Sequence, residues 1–404
     1  MKILMLLEAD FPPDIRVENE ILALTGAENE VHLACYTKTG RPERDTWGKA
    51  VIYRKKISQF IYKSSVGCLK FPFYFNFWRK FLIEVVSTTK FDAVHVHDLP
   101  LSLLGLELKK ALGIPLIIDL HENWPSLVKT SKHTRTLLGR FLSPYNKWVK
   151  YEKKMLMNAD RIITVIEEAR ERVINLDVDP EKVIIVSNTI NTETIKINST
   201  SKKDDAFALF YGGGINQHRG LQVVLEAVKI LHESEIQVRF IIVGDGSYRK
   251  DLEKLAERLG IGSLVNFTGR KSYNEMMEIL SSSDAAVIPH LRTDNNDASS
   301  PNKLYQYMYL GKPVITADCL SLKRIVTETG AGFVYKNDSP DDLAKLIINI
   351  RSDKSRLEEA GRNGTKAVLE KYNWNNDSKR LTEMYSKLEQ EIIGNRKNPE
   401  KTKA

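Results

Sequence analysis

Cysteine is scarce: Cys35, Cys68 and Cys319 are the only three in 404 residues, odd in number and far apart. Their spacing matches neither a disulfide framework nor a zinc site, so they read as reduced, buried thiols of a cytosolic protein. Long apolar runs are missing too. The opening Met-Lys-Ile-Leu-Met-Leu-Leu-Glu is too short for a secretory core, and no later run is long enough to span a bilayer, so no integral membrane protein is expected. No Gly-x-Gly-x-x-Gly follows the first apolar run, Ile3 to Leu7, which disfavours a two-domain oxidoreductase. Acids are outnumbered, 52 Asp and Glu against 60 Lys and Arg, for a formal charge of +8. That balance favours an anionic partner, and sugar nucleotides, acidic lipids and nucleic acid all satisfy it. With 42% hydrophobic and 28% charged residues, the chain is an ordinary globular one, long enough for two cores and a cleft.

What is present is a repeated alternation of short apolar strands with amphipathic helices. Ile3 to Leu7, Val31 to Cys35, Ala93 to His97, Leu116 to Leu120, Arg161 to Val165 and Val183 to Val186 read as strands of a first half. A second series runs through Ala208 to Tyr211, Val238 to Val243, Val265 to Thr268, Ala285 to Pro289, Val314 to Ala317 and Gly332 to Tyr335. Such alternation predicts two consecutive α/β Rossmann-like domains, each a mainly parallel sheet covered on both faces. The boundaries expected are 1–190 and 207–372, with a polar linker over 191–206. A helix over 373–394 carries Leu381, Met384, Tyr385 and Leu388, and a charged tail over 395–404 reads as frayed.

In open α/β sheets ligands sit beyond the C-terminal strand ends. Gly212-Gly213-Gly214 follows its strand directly, and Arg219 stands before Gly220 and the next helix; this pairing suits close approach of a diphosphate. Gly244-Asp245-Gly246 is a weaker loop of the same kind. Ser299 to Thr316 reads as a helix, with Ser299 or Ser300 as cap and Pro301 in its first position, running into a buried strand. Lys303 in the first turn opposes the helix dipole unless an anion is held there, where the amides of Asn302, Lys303 and Leu304 would also point. The rival reading is an exposed surface lysine. In the first half, His121 and Glu122 run off a strand end as acid–base or hydrogen-bonding candidates. Alternation puts His95 and His97 on one face, with His97 expected to reach the cleft. Together these histidines and Glu122 match no standard ligand set, and no metal is expected.

Two stretches are rich in basic and aromatic residues. Lys49 to Lys90 carries Arg54, Lys63, Lys70, Arg79 and Lys80 among Phe60, Tyr62, Phe71, Phe73, Trp78 and Phe81; Lys129 to Lys154 carries Arg140 and Lys147 among Phe141, Tyr145 and Trp148. The composition suits the surface of an anionic membrane, with amphipathic core helices as the main rival and a nucleic-acid patch as another.

Several of these residues carry a resemblance to the family 4 glycosyltransferases. The segment Ser300-Pro301-Asn302-Lys303-Leu304-Tyr305-Gln306-Tyr307-Met308, then Gly311-Lys312-Pro313-Val314, is similar to the family's strongest signature. Asp119-Leu120-His121-Glu122, Gly213 through Gly220, Asn188 and Pro12-Pro13-Asp14-Ile15-Arg16 are similar to weaker ones. The resemblance implies a GT-B architecture, with two Rossmann-like domains facing a cleft and the last helix crossing back to the first. It implies a retaining enzyme that takes a UDP- or GDP-linked sugar without metal or cofactor. The acceptor would be a lipid-linked glycan of cell-surface polysaccharide synthesis, and the protein cytoplasmic and peripheral on the membrane. The alternative is a non-catalytic sugar-nucleotide or membrane-binding relative. No nucleic-acid partner is expected, and the sequence does not set an oligomeric state. Carried over by residue, His121, Arg219 and Lys303 are catalytic. Gly213, Gly214, Gly244, Asn302, Leu304 and Gln306 bind the donor, and Arg16, His97 and Glu122 lie on the acceptor side. The family's paired glutamates align with Ala298 and Gln306, and an arginine common in its donor loop aligns with Gly214.

Overall fold

The computed structural model describes residues 1–131, 134, 136–194 and 206–397. The chain divides into two compact units, Met1–Ser187 with the chain from Asn375 onward, and Asn188–Trp374. Most of the expected linker and the end of the tail lie outside the described residues, but the last helix, Trp374–Lys397, runs beyond the expected start of fraying at Asn395.

The first unit holds an eight-stranded sheet of β1 (Lys2–Asp10), β2 (Glu30–Thr37), β3 (Arg44–Trp47), β4 (Ala50–Lys56), β5 (Ala93–His97), β6 (Leu116–Leu120), β7 (Arg161–Thr164) and β8 (Val183–Ile185). Their order is β3-β4-β2-β1-β5-β6-β7-β8. Every pairing is parallel except β3 with β4, an edge hairpin. The chain winds outward from β1 to β4 and then returns to β1's other side as β5, so the crevice between β1 and β5 is a switch point where a ligand site is expected. Central strands are buried on both faces, Ile3 through Leu6 and Leu116 through Ile118 fully, which is why they read as continuous apolar runs. The last helix packs on this unit through Leu381, Met384, Tyr385 and Leu388, all buried and spaced i, i+3, i+4, i+7. Each such side chain contributes roughly 1.5–3 kcal/mol.

The second unit is a six-stranded, fully parallel sheet of β9 (Phe207–Gly212), β10 (Val238–Val243), β11 (Val265–Gly269), β12 (Ala285–Ile288), β13 (Val314–Ala317) and β14 (Gly332–Tyr335), in the order β11-β10-β9-β12-β13-β14. Its switch point lies between β9 and β12.

The first basic-aromatic stretch is split by the fold. β4 takes its start, where Arg54 is buried and donates to the Phe11 carbonyl at 3.1 Å. Tyr74, Phe75, Trp78 and Phe81, with Trp148 of the second stretch, enter the core, so the core-packing reading holds for these residues. Phe60, Phe71, Phe73 and Phe141 stay exposed. All three cysteines are free and buried.

Candidate active site

In the second unit, four nitrogen bases gather at the β9/β12 switch point. Gly220, at φ 71°, closes a short 3-10 turn, Gln217–Arg219, and any Cβ there would lie 1.7 Å from the Pro289 carbonyl oxygen. That tight approach aims Arg219 at His290, with Nη1 3.1 Å from Nε2. Since guanidinium only donates, the imidazole nitrogen accepts and His290 is neutral. Burial, with Arg219 and Lys303 nearby, holds His290 well below its ordinary range. His218 is pushed down to about 4 by burial and the same two cations. Lys303 lies with Nζ 3.9 Å from the Tyr211 ring centroid. Burial and Arg219 lower its pKa well below the usual lysine value, so the surface-lysine reading is set aside. A Cβ on Gly213 would come within 2.6 Å of that Nζ, which explains the glycine. Neither Lys303 nor Arg219 has a carboxylate partner among the described residues. Two basic side chains held together at a helix start without an acid among the described residues, each opposing the other's charge, are what a diphosphate would balance.

The local details differ from the sequence reading. The helix is Asn302–Tyr309, with Pro301 as its cap residue in extended conformation and no side-chain cap. Ser300 instead bonds the Tyr305 hydroxyl at 2.6 Å. The Leu304 amide bonds the Pro301 carbonyl and its side chain is fully buried, so Leu304 is a core residue and not a donor contact. Among the described residues the amides of Asn302 and Lys303 have no acceptor, and Asn302 Oδ1 is buried without a partner. Gly213 and Gly244 use their amides on Val243 and Gly269, so they serve by lacking a side chain. A Cβ on Gly244 would meet the Gly213 carbonyl at 2.0 Å. The Gly214 carbonyl accepts from Tyr211. Gln306 interacts with the Tyr273 hydroxyl. The sequence marks Ala285 to Pro289 as a strand and does not single out His290; its place just past a strand end is the available signal.

In the first unit, the ends of β1, β5 and β6 place Glu8, Asp98 and His121 side by side. Asp119 is the hub. It takes Arg16 Nη2 at 2.7 Å, Arg16 Nε at 3.0 Å and His121 Nε2 at 2.8 Å. Burial raises the Asp119 pKa, but Arg16 and His121 outweigh it and hold the group well below the usual range. Glu20, with Oε1 3.1 Å from Arg16 Nε, is driven well above its usual value by burial and by Asp119. Burial lowers the His121 pKa, but Asp98 and Asp119 overcome it and bring it to about 9, so His121 is cationic at neutral pH. The Asp98 carboxylate also accepts the His121 amide at 3.0 Å. His121 keeps 17% of its side chain exposed, enough to meet a ligand.

His97 does not reach out as expected. It is 1% exposed, stacked on His95 with centroids 4.5 Å apart, and burial beside His95 lowers it to about 3. Arg16 is likewise 5% exposed and fully engaged, a positioning residue for Asp119. Glu122 is exposed. His95 Nδ1 meets the Tyr385 hydroxyl of the last helix at 2.7 Å. Glu20, His95, His97 and Asp119 bring donor atoms within 4.8 Å of one another. The Arg16 guanidinium already takes both Asp119 oxygens, and with His121 it supplies the positive charge a cation would bring.

Both units are mainly parallel sheets whose charged groups collect at the switch points, where open α/β sheets bind their ligands. Residues 191–367 match the model described as Glycosyl transferases group 1, and residues 15–194 match Glycosyltransferase Family 4. The chain belongs to the family 4 glycosyltransferases and has their GT-B fold. It is similar to an uncharacterized glycosyltransferase of Methanocaldococcus jannaschii, 25% identical over 80% of this chain and 83% of that one. Among solved structures, it resembles sucrose-phosphate synthase from Thermosynechococcus elongatus, with a TM-score of 0.77 at 16% identity over 96% and 98% of the two chains. It also resembles Anabaena Alr3699/HepE in complex with UDP-glucose, with a TM-score of 0.66 at 16% identity over 96% and 100%.

Proposed function

We propose that the protein transfers a sugar from a UDP- or GDP-linked donor, with retention at the anomeric carbon, to a lipid-linked glycan of cell-surface polysaccharide synthesis. The observation that carries this reading is the pairing of Lys303 with Arg219, two basic groups with no carboxylate partner among the described residues, at a helix start beside Gly213. The UDP-glucose bound by the Anabaena neighbour supports a donor of that class. In this reading the anomeric C–O bond breaks and its electron pair leaves with the diphosphate, whose growing charge Lys303 and Arg219 neutralise. The acceptor hydroxyl attacks from the same face, and its proton passes to the departing phosphate oxygen. His121 contacts the transferred sugar, and the cationic imidazole donates to one of its hydroxyls. The protein works on the cytoplasmic face of the membrane without metal or cofactor. The test is to incubate it with UDP- and GDP-sugars, follow the free nucleoside diphosphate, and read the anomeric configuration of the product by proton coupling. An α-linked product from an α-linked donor is expected; an inverted product overturns the reading.

A further inference from the structure

The two basic-aromatic stretches, Lys49 to Lys90 and Lys129 to Lys154, meet in space. The short helix Leu137–Leu142 packs on the turn Ser65–Gly67, where a Cβ on Gly67 would lie 3.7 Å from Leu142 Cδ2. Lys70 Nζ sits 3.4 Å from the Phe141 ring centroid and joins the segments. Phe73 lies 5.7 Å from Phe60 and 6.4 Å from Phe71, centroid to centroid. Six large apolar side chains are thereby presented to solvent together: Phe60, Phe71, Phe73, Leu137, Leu138 and Phe141. Leu137 is 85% exposed, Leu138 67%, Phe60 64% and Phe141 61%. Contiguous exposure on this scale marks a surface that is covered when the protein works.

The charge around it decides what covers it. No acidic residue occurs from Ile57 to Ile83 or from Asn123 to Tyr151, while the described Lys63, Lys70, Lys129, Arg140 and Lys147 fall in those spans. A second copy docking face to face would bring two sets of cations together, which disfavours a symmetric dimer. Aromatic and leucine side chains ringed by lysine and arginine suit the boundary between anionic headgroups and acyl chains. Among the described residues no helix is long and apolar enough to cross a membrane, so contact would be from one side. The surface also adjoins the site: Lys38 Nζ lies 3.3 Å from the Tyr62 ring centroid, Tyr62 meets Tyr36, and Tyr36 tilts against Trp78 beside Tyr74, whose hydroxyl donates to Glu8 at 2.7 Å.

We infer that these two segments together form one membrane-docking surface, in which Leu137, Leu138 and Phe141 enter an anionic bilayer beside Phe60, Phe71 and Phe73. The inference rests on the membrane-acceptor reading above and names the surface that serves it.

The experiment is flotation of the full chain with vesicles of phosphatidylcholine containing 30% phosphatidylglycerol, and with phosphatidylcholine alone. Wild type is expected to float with the anionic vesicles at low salt and to be released at high salt. Leu137→Ser with Phe141→Ser should lower the partition coefficient at least ~10-fold, and Lys70→Ala about fivefold, from ~1 kcal/mol per lysine at the surface. A UDP-induced rise in melting temperature, measured on every variant, shows that each is folded and still binds nucleotide. Wild type that stays with the unfloated fraction at low salt overturns the inference, as does a double variant that floats like wild type. So does wild type that runs as a dimer in solution, and as a monomer only in the double variant, because a second copy then covers the face. Loss of the UDP effect with flotation intact would count against the transfer reading and leave the docking surface standing.

Discussion

Asp119→Asn is the change that most exposes how the first unit is held together. Asp119 is fully buried and accepts from Arg16 twice and from His121 once. Asparagine offers one acceptor oxygen and an NH2, so one of three donors must face another donor, and the buried Arg16 loses its Asp119 counterion and keeps Glu20 alone within ion-pair distance, at 3.1 Å. Breaking a buried pair in this way costs about 3–5 kcal/mol, whatever the net worth of the intact pair. The same substitution removes one of the two carboxylates that raise His121, and its pKa should fall from about 9 by roughly 1–3 units. The sign of the pH effect follows. His121 titrates higher in the folded than in the unfolded state, so its stabilisation is full below about 6.5 and lost as pH rises through about 9. Wild type should therefore lose stability over that window, and Asp119→Asn should lose less. Urea unfolding between pH 6 and 9.5, with histidine titration by NMR, measures both. A loss under ~1 kcal/mol together with an unmoved His121 pKa would refute the reasoning.

Three further predictions follow from the other groups. Lys303→Met should weaken UDP or GDP binding about 10- to 150-fold by calorimetry, the loss of a ~1.5–3 kcal/mol charge-assisted bond. It should also stabilise the ligand-free protein, because burial and Arg219 oppose the charged lysine; destabilisation with unchanged affinity would remove it from the site. Glu8 is raised to about 7 by burial, partly offset by Tyr74, so its contribution is full below about 4.5 and declines as pH rises through 7. Glu8→Gln should lack this decline, and the stability difference between the two proteins should change by ~1–3 kcal/mol from pH 5 to 8. Gln306→Glu should retain or increase discrimination between ribo- and 2′-deoxyribonucleotide donors, since a carboxylate accepts more strongly than a carboxamide. An identical ratio in wild type, Gln306→Glu and Gln306→Ala would show that this position does not read the ribose.

Much of the fold was legible because parallel strands covered on both faces leave unbroken apolar runs, as in Ile3 to Leu7 and Val238 to Val243. The edge strand β3 was not, since Arg-Asp-Thr-Trp is mostly solvent-exposed and carries no apolar signal. Lys303 and Arg219 were visible as cations placed against helix starts. The burial of Arg16 and His97 was not, because each depends on Asp119, which is distant in the chain and neighbours them only after the sheet assembles. Local rules for caps favoured Ser299 or Ser300, whereas the Tyr305 hydroxyl claims Ser300 and the helix starts two residues later. The aromatic stretches mixed core and surface residues at the same spacing, so sequence gave their composition and only the fold sorted Trp78 from Phe73.

The central claim is that the cation pair of the second unit holds a nucleoside diphosphate sugar. A melting-temperature panel of UDP-, GDP- and ADP-sugars tests it most directly, on wild type and on Lys303→Ala with Arg219→Ala. A donor at 100 times its Kd stabilises the native state by ~2.7 kcal/mol, a shift of several degrees for a domain of this size. The account predicts that shift with a UDP- or GDP-sugar in wild type and its loss in the double variant. A wild type unmoved by every sugar nucleotide, or a double variant that shifts as wild type does, would contradict it.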